Sequence, residues 1–388
     1  MSSVLIWSLV LSTFIVAHWA SRKLHRRQNL HKFHKERGCG PPLQTPDALF
    51  GLLQILRLIQ ALMKNNFLGY VEELFEKYGN TFVYNTLGTK SVWTTEPKNF
   101  RACLVTQSHE FETGAARDQV IISLVGHSIL TTYGRTWACH RAMIRPDFVK
   151  SQVGNLDTFE KHFSNLLVCM PGDNSTVELR GLFQKLTMDI STDFLLKCST
   201  ESLAVHATGQ PDEFSEAWNE AMTWILLRAH LGAVMRFMPR SSFFRACKII
   251  HQFADHAIVT ALAPHNTSEK RYVFLRELAK EALDPIQLML RLYPIGPVNA
   301  RIATKDTSLP VGGPDGDLPI MIEKGQQVLY CVWRMHRRKD LYGPDAASFR
   351  PERWVTQKQG GWEFLPFNGG TRQCIGRKSV SVSKNFLF

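Results

Sequence analysis

Residues Phe364 to Lys378 read FLPFNGGTRQCIGRK, and in this stretch Phe367, Gly370, Arg372, Cys374 and Gly376 stand as F-x-x-G-x-R-x-C-x-G. Five residue types at fixed offsets say far more than a lone Gly-rich triplet. Glycine opens the left-handed backbone region at no steric cost, so Gly370 and Gly376 can close a tight turn around the sulfur. A turn of that kind offers backbone N–H groups to a thiolate without adding bulk, and so offsets its charge. The plain alternative is a buried thiol in a Gly-rich turn, since free cysteine often packs as a small hydrophobe.

Two other segments carry residues of the same chemical kind. Trp137 and Arg141 lie four apart in GRTWACHRAMIRPDF, which puts both on one face of a helix. Alone, the pair reads equally well as a packed indole beside a solvated cation. Phe349 to Trp354 reads FRPERW.

Together these segments resemble the cytochrome P450 family, and the cysteine segment is similar to that family's haem-thiolate loop. The resemblance implies a mainly α fold with small β-sheets that holds haem. Cys374 would be the iron ligand, because thiolate pushes electron density onto the metal and favours O–O cleavage. Phe367 would cover the sulfur, Gly370 and Gly376 would permit the turn, and Arg372 would meet one haem propionate. Trp137 and Arg141 would donate to the second, and Arg353 would belong to the cluster supporting the loop. The segment ATKDTSLPVGGPDG, from Ala303 to Gly316, is similar to fungal members that hydroxylate alkanes and fatty acids. The resemblance further implies an apolar small-molecule substrate, oxygen and electrons from an NADPH-dependent reductase. The run Gln119 to Leu130 falls where the family places a substrate-covering loop.

The chain also departs from the pattern. The family's long central helix, with an acid–Thr pair that delivers protons to bound oxygen, has no counterpart. Instead RELAKEALDPIQL runs directly into MLRLYPIGPVNAR. Asp306-Thr307 sits in the segment leading into strands and reads as a solvated turn. In the family's E-x-x-R helix, Arg291 matches the arginine, but Leu288 stands where the glutamate belongs. Removing one member of a buried ion cluster costs about 3 to 5 kcal/mol. Glu281, Glu323 or another acid is therefore expected to move in, or the region to rearrange. After Gly376 the run RKSVSVSKNFLF is poor helix material. The expectation is an incomplete fold with an internal deletion near 288 and truncation after 376, lacking the oxygen-activating helix and C-terminal elements. A non-catalytic relative stays open beside the enzyme.

The chain of 388 residues carries 46 Lys and Arg against 34 Asp and Glu, a formal +12. From Arg22 to Arg37 there are seven Lys/Arg and one Glu, so half of that excess lies in sixteen residues. They follow the uncharged run VLIWSLVLSTFIVAHWA, with Trp7 and Trp19 near its edges, which reads as a single-pass membrane anchor with the rest of the chain cytoplasmic. A cleaved signal peptide fits less well, since the basic cluster lies on the C-terminal side. The organisation expected is residues 1–21 as anchor, 22–46 as basic stretch and Pro-rich hinge, and 47–388 as the haem domain, at the endoplasmic reticulum. The remaining charge forms no stripe interleaved with aromatics, so nucleic acid is not an expected partner. A basic membrane-surface binding protein is the reading that needs no haem. The eight cysteines include no C-x-x-C pair, which argues against a zinc site or redox dithiol. Helical spacing is clear over Leu156 to Leu167, Leu179 to Ile190 and Phe214 to Met238, and Pro319 to Trp333 reads as two strands around Lys324-Gly325.

Overall fold

The structure, a computed structural model, describes residues 32–46, 51–86, 88–145, 157–173, 175–196, 198–231, 239–262, 290–313, 316–350 and 361–375, with Ser21, Leu24, Arg26, Gln28, Leu30, Arg353 and Arg377 besides. The anchor run, Glu281, Leu288, Gly376 and the C-terminal run beyond Arg377 lie outside the described residues. Among those described, no helix is long and apolar enough to cross a membrane. Two compact units emerge: residues 1–112 with 287–373, and residues 113–286 with 374–388.

The first unit holds every strand among the described residues. β1 (Leu43–Gln44), β2 (Thr81–Thr86), β3 (Thr89–Thr94), β4 (Phe111–Glu112), β5 (Val298–Ala303) and β8 (Gln327–Cys331) form one sheet in the order β1-β2-β3-β8-β5-β4. β6 (Thr307–Leu309) pairs antiparallel with β7 (Ile320–Ile322). The two strands expected around Lys324-Gly325 are therefore present, but each pairs elsewhere: β8 runs parallel to β3 and antiparallel to β5. Thr307 corrects the sequence reading of a solvated turn, because it is buried in β6 and donates to the Glu110 carboxylate.

Two helices cover one face of the large sheet. In α1 (Leu52–Met63) the buried positions are Gln54, Ile55, Leu58 and Ala61, and in α2 (Phe67–Tyr78) they are Tyr70, Val71, Leu74 and Phe75. Such spacing keeps one stripe toward the sheet. Phe82 and Trp93 face each other across β2 and β3, and Phe75 meets Phe82 edge-on at 5.1 Å. α3 (Pro97–Arg101) starts on proline, whose fixed φ suits the first helical turn, and runs into a single π-helical turn, Ala102–Thr106. Beyond β8 come α11 (Val332–Met335) and α12 (Lys339–Tyr342).

The second unit is helical: α4 (Ala115–Val125), α5 (Gly134–Ile144), α6 (Asp157–Val168), α7 (Leu179–Leu196), α8 (Ser202–Ala207), α9 (Glu213–Leu231) and α10 (Ser241–Leu262). Ala217 and Ala221, small and four apart, let α9 and α10 approach closely, and Trp224 stacks on Phe243 at 4.2 Å. Leu166, Leu182, Leu186 and Leu203 tie α6, α7 and α8 together. Of the expected helical segments, residues 157–167, 179–190 and 214–231 fall in α6, α7 and α9, whereas Leu156, residues 232–238 and the periodic run KRYVFLRELAKEAL at 270–283 lie outside the described residues.

Candidate functional site

The cysteine loop is fixed at three points before it reaches the thiol. The Tyr342 hydroxyl donates to the Glu363 carbonyl at 2.7 Å. The Leu365 amide donates to His336 Nε2 at 3.0 Å, and the same imidazole stacks on Phe364 at 5.4 Å. The Tyr330 hydroxyl, on β8, reaches Asn368 Oδ1 at 3.3 Å, and that oxygen also accepts from the Gly369 amide. Asn368 and Gly370 both take positive φ, at 64° and 71°. Gly370 has a second requirement: a Cβ there would collide with the backbone carbonyl of Leu104 in the π-helical turn. Any side chain at 370 would push the loop off its support.

On this loop Phe367 and Arg372 are half-buried, and Cys374 is a free, exposed thiol. Gly376 lies outside the described residues. Trp137 and Arg141 both sit on α5, half-buried, with the Arg141 guanidinium 5.5 Å from the centre of the Trp137 ring. The i, i+4 spacing thus yields a stacked cation and indole. Phe367, Gly370 and Arg372 belong to the first compact unit, and Trp137, Arg141 and Cys374 to the second. Taken singly, Cys374 offers an accessible thiol, and Arg372, Arg141 and Trp137 offer guanidinium and indole groups, the residue types that haem iron and propionates take. Among the described residues no other cluster of His, Cys, Asp and Glu could hold a metal ion. The run Gln119 to Leu130 is helical as far as Val125 and then turns, with Thr131 accepting from the Ser128 amide and donating to the Gly126 carbonyl.

Beneath the loop lies the ion cluster that had lost its glutamate, and among the described residues another acid has moved in. Arg291 is completely buried, yet it is not left facing a second cation without partners. Its Nη1 donates to the carbonyls of His336 and Ala346 at 2.7 and 2.6 Å, and its Nη2 to that of Ser348 at 3.2 Å. Burial, then the charge of Arg353, hold its pKa down to about 10. Arg353 takes the acid instead: its Nη2 lies 2.8 Å from Asp345 Oδ1. Hydrogen bonds from Arg353 and then Arg350 hold the Asp345 carboxyl down at about 2. The acid that moves in is therefore Asp345, and Glu323 turns to Arg26 at 3.1 Å. Sequence spacing missed Asp345, His336 and Tyr342. The only signal was a histidine followed by a run of charged residues, Arg337 to Asp340, and a second acid, Asp345, in CVWRMHRRKDLYGPDAASF, between a strand and the P-E-R segment.

The sequence profile described as Cytochrome P450 matches residues 41–284 and 286–379, most of the chain and all of the cysteine loop. The chain belongs to the cytochrome P450 family. Members of this family use haem, and as monooxygenases they are oxidoreductases. Cytochrome P450 52A13 of Debaryomyces hansenii is 29% identical, the match covering 98% of this chain and 90% of that protein. Cytochrome P450 52A10 of Candida maltosa is 31% identical over the same shares. A cytochrome P450 monooxygenase of Aspergillus japonicus, himC, is 31% identical over 88% of this chain and 76% of its own length.

The alignments also measure what is missing inside the chain. The match to the Debaryomyces protein runs over 470 positions, whereas 98% of 388 residues is about 380, so roughly 90 aligned positions hold no residue here. The P450 profile itself breaks at Pro285, three residues before Leu288. The fold is thus an incomplete P450 fold, mainly helical with small sheets.

Proposed function

We propose that this chain is a haem-thiolate monooxygenase that hydroxylates an apolar substrate such as an alkane or fatty acid. Oxygen and electrons from an NADPH-dependent reductase complete the reaction. One observation carries the reading: Cys374 stands exposed at the end of a loop whose upstream part is fixed by Tyr342, His336 and Tyr330 and seated on Leu104 through Gly370. Cys374 would ligate iron, with Phe367 covering the sulfur and Gly370 and Gly376 permitting the turn. Arg372, Trp137 and Arg141 would hold the propionates. Bound haem supplies the oxygen-activating chemistry, and the protein supplies binding, orientation and a dry site. Residues 1–21 would anchor the protein in the endoplasmic reticulum, 22–46 would form the basic hinge, and 47–388 would face the cytoplasm as the haem domain. The relatives named 52A13 and 52A10 support the fungal, apolar-substrate reading.

The roughly ninety absent positions favour a second reading, in which haem binds but no substrate is oxidised. The deciding experiment is the carbon monoxide spectrum of the reduced full-length protein in detergent, followed by turnover with reductase, NADPH and an alkane or fatty acid. A thiolate-haem Soret band that disappears in Cys374→Ala, together with product, is the expected outcome. The band without product selects the non-catalytic relative. No haem, with binding to anionic vesicles, selects the membrane-surface protein.

A further inference from the structure

The Cys374 loop hangs from the Arg291 segment through one residue that family resemblance did not single out. An amide N–H can only donate and a carbonyl can only accept, so the two bonds of His336 fix its tautomer. Nε2 accepts from the Leu365 amide at 3.0 Å, and Nδ1–H donates to the Arg291 carbonyl at 3.1 Å. The ring is fully buried, stacks on Phe364 and stands edge-on to Tyr342 at 6.5 Å. Its own carbonyl accepts from Arg291 Nη1. Arg291 is thus bonded at both ends to one residue, backbone carbonyl to ring and guanidinium to carbonyl, and that residue in turn holds the loop. The carboxylate at 288 is missing, so the family's glutamate–arginine pair between 288 and 291 cannot serve this purpose.

We propose that His336, as the neutral Nδ1–H tautomer, is the positioning residue that couples the Arg291 segment to the Cys374 loop and sets the loop's register. The inference rests on reading the loop as the thiolate carrier, but its first test needs no haem. Burial, reinforced by the charges of Arg291 and Arg337, pushes the imidazole pKa down to about 3, which agrees with a ring kept neutral. The groups facing it are Arg291 and Arg337, with Tyr342 and Phe364 as ring neighbours.

In the full-length protein without haem, nitrogen NMR of labelled histidine should show Nδ1 protonated and Nε2 unprotonated at neutral pH. Amide exchange should show Leu365 strongly protected. His336→Asn can still donate to Arg291 but cannot reach Leu365, and it should speed exchange at Leu365 at least tenfold while leaving exchange in β2 and β3 unchanged. His336→Gln, longer by one methylene, should restore part of that protection. With haem added, His336→Asn should move the reduced carbon monoxide spectrum from the thiolate form toward the protonated-thiol form. A wild-type ring protonated on Nε2, or Leu365 exchange unchanged in His336→Asn, overturns the proposal. If neither substitution folds, the wild-type tautomer still decides it. Failure of wild-type protein to bind haem would instead count against the proposed function and leave the NMR result standing.

Discussion

Each compact unit buries a charge whose main partners are not oppositely charged side chains, and Arg291 and Asp189 solve the problem in mirror image. In the first, Arg291 gives its guanidinium hydrogens to three backbone carbonyls, those of His336, Ala346 and Ser348. In the second, Asp189 on α7 is fully buried and collects donors: the Thr200 hydroxyl at 2.6 Å and the amides of Ser202 and Leu203 at 2.7 and 3.0 Å. Backbone dipoles stand in for counter-ions in both places. The difference lies in how the dipoles are gathered. The donors to Asp189 come from three residues within the four-residue stretch 200–203 that leads into α8, a local turn whose amides would lack intrahelical partners anyway. The acceptors around Arg291 come from positions 336, 346 and 348, so they converge only once the whole segment from β8 to the P-E-R region has folded.

That difference ranks the consequences of breaking each site. Arg291→Met should be the more damaging change, because three converging carbonyls lose their donor at once inside a buried scaffold. A loss of about 3 kcal/mol or more is expected from urea unfolding at neutral pH. The cysteine loop should loosen with it. A loss under about 1 kcal/mol would mean that the carbonyls find other donors, and that the guanidinium is a passenger in the scaffold.

Asp189→Ala should cost less, about 2 kcal/mol, in the range of a lost helix cap with buried amides left unpaired. Its effect should stay local. Amide exchange at Ser202 and Leu203 should accelerate while α9 and α10 keep their protection. Equal loss of protection across the α9–α10 pair would show that the local turn is coupled to the whole unit, and would erase the contrast with Arg291.

The same contrast explains what was legible in the sequence. The cysteine pattern, the W-x-x-x-R pair and the helical periods are local, so offsets alone revealed the loop, the shared face on α5 and the helices α6, α7 and α9. Even the missing glutamate was visible, through the resemblance to the family's E-x-x-R pattern, because that pattern is local in sequence. Its replacement was not. Asp345 precedes Arg353 by eight residues, and nothing in that interval says whether the chain doubles back to bring carboxylate and guanidinium to 2.8 Å. His336 was equally silent, since a histidine beside an apolar strand is usually just packed, and its two bonds run to positions 291 and 365. The family match breaks at Pro285, close to position 288, but the acid that joins the cluster lies some sixty residues further on.

The smallest expected effect concerns Asp345, and it separates a cation held by carboxylate from one held by carbonyls. Carbonyls do not titrate, so the grip on Arg291 should be independent of pH. Arg353 leans on Asp345, whose folded pKa of about 2 lies below the ordinary aspartate value of about 3.9. A carboxyl depressed in the folded state adds stability above its unfolded pKa, and that stability is lost as pH falls through the folded value. Asp345→Asn should therefore unfold at lower urea than wild type at pH 7, by a modest margin because the pair is partly solvated. The gap should close between pH 4 and pH 2. The deficit of Arg291→Met should stay level over the same range. If the Asp345→Asn gap also stays level, the carboxylate is not what holds Arg353, and the carbonyls of Tyr342 and Asp345 that accept from the same guanidinium are holding both cations of the cluster alike.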